Sequence, residues 1–176
     1  MRLVWLAATF CAVAQTASGA TLPPPISSAS EGKLQCYAPN LSTKSCQSLA
    51  AYRFAPDGSI INPATVLISA VPVVTMRTTT SVKIKANGVC GFIRQADVDT
   101  ATFTIGDTPA NAAQTAMLRQ QMGAAQKNFF DHEICTNYTP QGDGLVGKVY
   151  VDGVPQPQMD QKVMWVYPTD GFKVRP

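Results

Sequence analysis

The chain has 176 residues, with 14 Lys and Arg against 11 Asp and Glu, a formal charge of +3 and only 14% charged residues. That charged fraction lies well below the roughly 25% usual in soluble domains, and so mild a basic excess does not describe a nucleic-acid binder. There is no internal repeat or heptad run, which excludes solenoids and coiled coils.

The first segment reads as a secretory signal. Arg2 precedes an apolar run from Leu3 to Ala14, and Ser18-Gly19-Ala20 supplies the small residues a signal peptidase needs. About a dozen apolar residues are too few for a membrane helix, which takes roughly 20. Phe10 before Cys11 does not fit a lipidation site. Cleavage is expected after Ala20, so residues 1–20 are the signal peptide and the mature chain has no transmembrane segment.

Cys11 leaves with the signal, and Cys36, Cys46, Cys90 and Cys135 remain. An even number of cysteines in an oxidising compartment predicts two disulfides. Three pairings are possible; Cys36 with Cys46 and Cys90 with Cys135 is favoured, because the short connection brings the first pair together at little entropic cost. With no C-x-x-C spacing and one histidine, no metal site is expected.

Residues 21–32 hold three prolines and small polar residues, which predicts a disordered Pro/Ser-rich tether ahead of a single domain over 33–176. Lys33–Tyr37 and Ser45–Phe54 read as short extended pieces around Pro39-Asn40, with a short helix over Cys46–Phe54 as the alternative. Pro56-Asp57-Gly58-Ser59 and Asn62-Pro63 punctuate the chain. Val66–Met76 is rich in β-branched residues and predicts two strand segments broken at Pro72. Thr78–Ala86 alternates and returns through Asn87-Gly88 into Val89–Ile93, a strong hairpin signal.

Thr102–Ile105 is a further strand, after which Thr108 would cap a helix opening on Pro109 and running to about Phe130. Leu118, Met122, Ala125 and Phe129 would form its buried stripe, with Gln114, Arg119, Gln126 and Lys127 wet. Ile134–Thr139, Leu145–Val151 and Gln161–Tyr167 are strands, with turns at Gly142-Asp143-Gly144 and Asp152-Gly153. The fold expected from this pattern is α+β: a mainly antiparallel, hairpin-built sheet with one long helix, about 109–130, packed on it.

Chemistry is sparse. The catalytic candidates are the single histidine, His132, and its neighbours Asp131 and Glu133; three adjacent residues do not converge easily on one substrate atom, and a histidine also suits a helix C-terminus. Ser30-Glu31-Gly32-Lys33 matches S-x-x-K without the partner motifs of that enzyme class. No phosphate loop, dinucleotide fingerprint or calcium loop occurs, so no cofactor is expected. The late aromatics Tyr138, Tyr150, Trp165 and Tyr167 are the binding candidates, able to stack on a sugar or a peptide if they share an exposed face. Together these features predict an exported, disulfide-stabilised binding or accessory module without catalytic machinery, periplasmic or secreted, its partner a protein or carbohydrate of the cell envelope. A small hydrolase centred on His132 is one alternative. An inhibitor presenting the Cys36–Cys46 loop is the other.

Overall fold

The computed structural model describes residues 24, 26–55, 57–85 and 88–176; the expected signal peptide lies outside them. Eight strands carry the architecture: β1 (Leu34–Tyr37), β2 (Ser48–Ala50), β3 (Ile60–Ala70), β4 (Val73–Lys85), β5 (Gly88–Phe92), β6 (Glu133–Gln141), β7 (Gly144–Val151) and β8 (Gln161–Val166). Each pairs antiparallel with the next, and β8 pairs with β1, so the sheet closes into a barrel with up-and-down connections. Closure removes the exposed edges that an open sheet must otherwise protect.

The α+β expectation is therefore corrected. Strand makes up 51% of the described residues, and the sheet packs against itself rather than against a helical layer. The local hairpins agree with that reading, including β4–β5, for which Asn87 of the expected Asn87-Gly88 turn lies outside the described residues. What turns a meander into a barrel is the β1–β8 pairing, Leu34 opposite Val166 through Tyr37 opposite Val163.

The predicted long helix is shorter. Two helices lie between β5 and β6: α1 (Gln95–Thr100) and α2 (Ala112–Gln126). Thr108-Pro109 pairs with Thr104-Ile105 instead of opening the helix. The start moves to Asn111, whose Oδ1 accepts from Gln114 N at 3.0 Å while Gln114 Oε1 accepts from Asn111 N at 2.9 Å, a reciprocal capping box. Leu118 is buried and Met122 half-buried against Val74, Met76 and Phe103, on the part of the β3–β4 hairpin that Thr102–Ile105 borders. Ala125, expected in the stripe, is exposed. Arg119, expected to be wet, tucks inward and donates from Nη2 to Ala101 O at 2.9 Å.

Two proline expectations resolve differently. Pro72 lies in the turn between β3 and β4, as its break predicted, whereas Pro63 sits inside β3. Pro63 is tolerated because it falls between the β3 residues that pair with β2 and those that pair with Arg53–Phe54, where no backbone donor is required of it.

Both favoured disulfides are present, Cys36–Cys46 and Cys90–Cys135. The second crosses directly between paired residues of β5 and β6. Among the described residues no helix is long and apolar enough to cross a membrane. Ile26–Glu31, within the stretch read as a tether, folds onto the barrel: Ser27–Glu31 is a 3-10 turn and Ile26 is fully buried in the core with Tyr52, Ile60 and Val163.

Candidate functional site

Strand side chains alternate between two faces, and in a closed barrel one face becomes the lumen. The pairing register carries a single inward set round the barrel: Gln35 and Tyr37 on β1, Asn62 on β3, Thr80 and Val82 on β4, Val89 and Gly91 on β5, Ile134, Thr136 and Tyr138 on β6, Gly147 and Val149 on β7, Val163 and Trp165 on β8. Eight strands enclose a space just wide enough to be filled by side chains or to hold one small molecule. Here one end is packed with side chains, and two adjoining hollows remain beside that packing.

The filled end is made by Ile26, Ile60, Leu145, Trp165 and Tyr52, with the Tyr52 and Trp165 ring centroids 6.4 Å apart at a 58° tilt. Beneath them is an inner lobe of about 160 Å³ bounded by Tyr37, Tyr52, Asn62, Thr80, Thr136 and Tyr138 with Val82, Val89 and Ile134. It adjoins an outer lobe of about 410 Å³ through the shared residues Tyr37, Ile93, Ile134 and Thr136. The outer lobe reaches solvent past Gln158 and Gln161, both exposed, beside Met159 and Val149. Gly147 keeps this space open: a Cβ there would stand 2.9 Å from Thr136 Cγ2.

At the roof of the inner lobe three phenols meet one amide. Tyr52 Oη donates to Gln35 Oε1 at 2.7 Å, Tyr37 Oη at 2.9 Å, and Tyr138 Oη lies 3.3 Å from the same oxygen. Tyr37 and Tyr138 are also bonded to each other, oxygen to oxygen at 2.5 Å. Gln35 is completely buried. Burial, above all, holds the Tyr37 and Tyr52 hydroxyls well above the ordinary phenol value and Tyr138 above it, so all three stay neutral. Among the described residues no Asp, Glu, Lys, Arg or His lines either lobe.

The predicted site residues scatter. Tyr138 and Trp165 point into the barrel, whereas Tyr167 is 45% exposed beneath the Lys33 ammonium, and Tyr150 stands on the outer face opposite Cys135. The four aromatics thus share no surface. The acid–base trio also separates: His132 Nδ1 bonds Asp152 Oδ2 at 2.5 Å on the exposed surface, and Glu133 pairs with Lys85 at 2.6 Å. Asp131 takes a left-handed backbone conformation, φ 61. The carboxyl of Asp152 is held below its ordinary range chiefly by the His132 hydrogen bond. The single acidic and sulfur cluster of metal-binding size among the described residues is Cys90, Glu133 and Cys135, whose sulfurs are committed to the disulfide.

No protein-family model, curated protein or solved structure matches the chain.

The residues that build the lumen were mostly missed from sequence. Gln35 and Asn62 are polar in strands and would ordinarily be placed outside. Tyr37 and Tyr52 were visible only as parts of short extended pieces. The usable signal was the alternation Leu34-Gln35-Cys36-Tyr37, because a disulfide cysteine on one face places Gln35 and Tyr37 together on the other.

Proposed function

We propose that this protein is an exported, non-catalytic binding module that holds a small neutral molecule in the lumen of its barrel. What carries the reading is the hollow itself: two adjoining lobes walled by apolar and neutral polar side chains, with polar groups that converge and, among the described residues, no charged one. That combination is the usual make-up of a small-molecule site. A formal charge buried there would meet no partner, and an unpaired charge out of water is strongly disfavoured. The two disulfides support maturation in an oxidising compartment.

The test is ligand-detected and protein-detected NMR on the mature chain with a panel of neutral, anionic and cationic fragments. Neutral fragments should shift resonances of Thr136, Ile134 and Val149, and Thr136→Trp should abolish those shifts while leaving the far-UV circular dichroism spectrum unchanged. Shifts confined to the outer surface, or binding by anions alone, would defeat the reading.

The hydrolase alternative has less support, since His132 is directed to Asp152 and not to Asp131 or Glu133. The inhibitor alternative keeps one specific observation. Leu41 is 68% exposed at the tip of the Cys36–Cys46 loop, where Asn40 Oδ1 accepts from Ser42 N at 3.1 Å and Thr43 N at 3.3 Å, a stiffened loop. Replacement of Leu41 by Asp would abolish protein capture on that reading and leave fragment binding intact on ours.

A further inference from the structure

Resting on the lumen as the binding site, we infer that its ligand is recognised as a hydrogen-bond donor: a neutral molecule with a head about the size of one six-membered ring carrying O–H or N–H, and an apolar body directed to the mouth. The argument is an accounting of protons. Each of the three phenols has one proton to give. The Gln35 carbonyl oxygen has two lone pairs, and the two shortest bonds to it, from Tyr52 at 2.7 Å and Tyr37 at 2.9 Å, occupy both. The third proton, on Tyr138, then goes to the Tyr37 oxygen 2.5 Å away.

All three protons are thus consumed inside the cluster. What the Tyr52 and Tyr138 oxygens still present to the lobe is lone pairs. Asn62 adds to this polarity. Its Nδ2 donates one of its two protons to Ala51 O at 2.8 Å, which fixes the amide and leaves its oxygen free to accept, with one N–H remaining. The three phenol oxygens of the inner lobe offer acceptors alone, while Asn62 and the Thr80 and Thr136 hydroxyls can serve in either sense. A ligand that brings only acceptors would find no phenol proton to take unless a tyrosine abandoned its bond within the cluster. One that brings a donor completes the set.

Size and sidedness follow from the lobes. About 160 Å³ is close to the cavity that accommodates one benzene ring. The outer lobe offers an apolar wall of Ile93, Ile134, Val149 and Met159 that runs to the exposed Gln158 and Gln161, where the body of the ligand would lie.

Three matched probes test the inference on the mature chain: 4-ethylphenol, its methyl ether 4-ethylanisole, and acetophenone, which offers only an acceptor. Dissociation constants come from calorimetry, and the site of binding from chemical-shift changes at Thr136 and Ile134. The phenol should bind at least tenfold more tightly than either acceptor-only probe, and Tyr138→Phe, or Tyr52→Phe as a second variant, should shrink that ratio below threefold. Equal binding of phenol and ether in the lumen would overturn donor recognition while leaving lumen binding in place. A preference for acetophenone would overturn it too, and would mean that Gln35 turns its Nε2 toward the phenols. Failure of all three probes also removes the inference, and the wider fragment panel then decides separately whether the lumen binds anything.

Discussion

Gln35 concentrates the polar chemistry of the barrel at one point. Its oxygen collects the phenol protons of Tyr37 on its own strand and Tyr52 just after β2, with the Tyr138 oxygen 3.3 Å away, while its Nε2 has no partner among the described residues. Buried polar groups are tolerated when they are bonded, and the three tyrosines are what allow an amide at that depth. The cluster has a pH signature. Phenols in the unfolded chain ionise near pH ~10, whereas burial keeps Tyr37, Tyr52 and Tyr138 protonated above that. The stability they lend is fully present below the unfolded value. Above it the unfolded chain releases protons that the folded chain retains, so stability falls as pH rises. In an alkaline titration followed at 295 nm and by circular dichroism, three of the five tyrosines should form phenolate only as the fold is lost. Ionisation of all five with the fold intact below about pH 11 would contradict this.

At the scale of elements, the segment between β5 and β6 is the large departure from a simple meander. It holds α1, α2 and the strand Thr102–Ile105, and the Cys90–Cys135 bridge ties the two strands that flank it. Cross-linking restricts the unfolded chain more as the enclosed loop lengthens. The sequence separation is 45 for this bridge and 10 for Cys36–Cys46, so the chain-entropy model assigns about 4 kcal/mol to the first and about 3 to the second. Replacing both Cys90 and Cys135 with alanine should therefore lower the unfolding free energy by about 4 kcal/mol, measured by urea denaturation. A loss smaller than that of the corresponding Cys36 and Cys46 pair would show that loop length is not what governs the effect. Helix α2 itself was legible as a helix from its composition. Its start was not, because Thr108-Pro109 offers a good local cap that a tertiary strand pairing takes over.

For the molecule as a whole, the barrel is closed twice, laterally by the β1–β8 pairing and axially by Ile26. Ile26 belongs to a stretch with the composition of a linker, yet it is the side chain that fills one end against Tyr52, Ile60 and Val163. Ile26→Ala should cost about 3 kcal/mol, as a buried aliphatic truncation in a packed site does, by the same urea measurement. A change under ~0.5 kcal/mol, the range of surface substitutions, would mean that the N-terminal turn is not a stopper.

The cysteine pairing, nearly every strand and the hairpin turns were decided by local chemistry: alternation along strands, residues such as Gly142 and Asp152-Gly153 where a turn needs positive φ, and spacing that brings Cys36 to Cys46. Closure was not, because the pairing of Leu34–Tyr37 with Gln161–Val166 joins segments at opposite ends of the domain, and no local pattern distinguishes an open meander from a closed one. The lumen follows from closure alone. Until the last strand meets the first, the Gln35–Tyr37 pair on β1, Tyr52 just after β2 and Tyr138 on β6 stand on three separate segments, and only the curvature of the finished barrel turns their side chains toward one point.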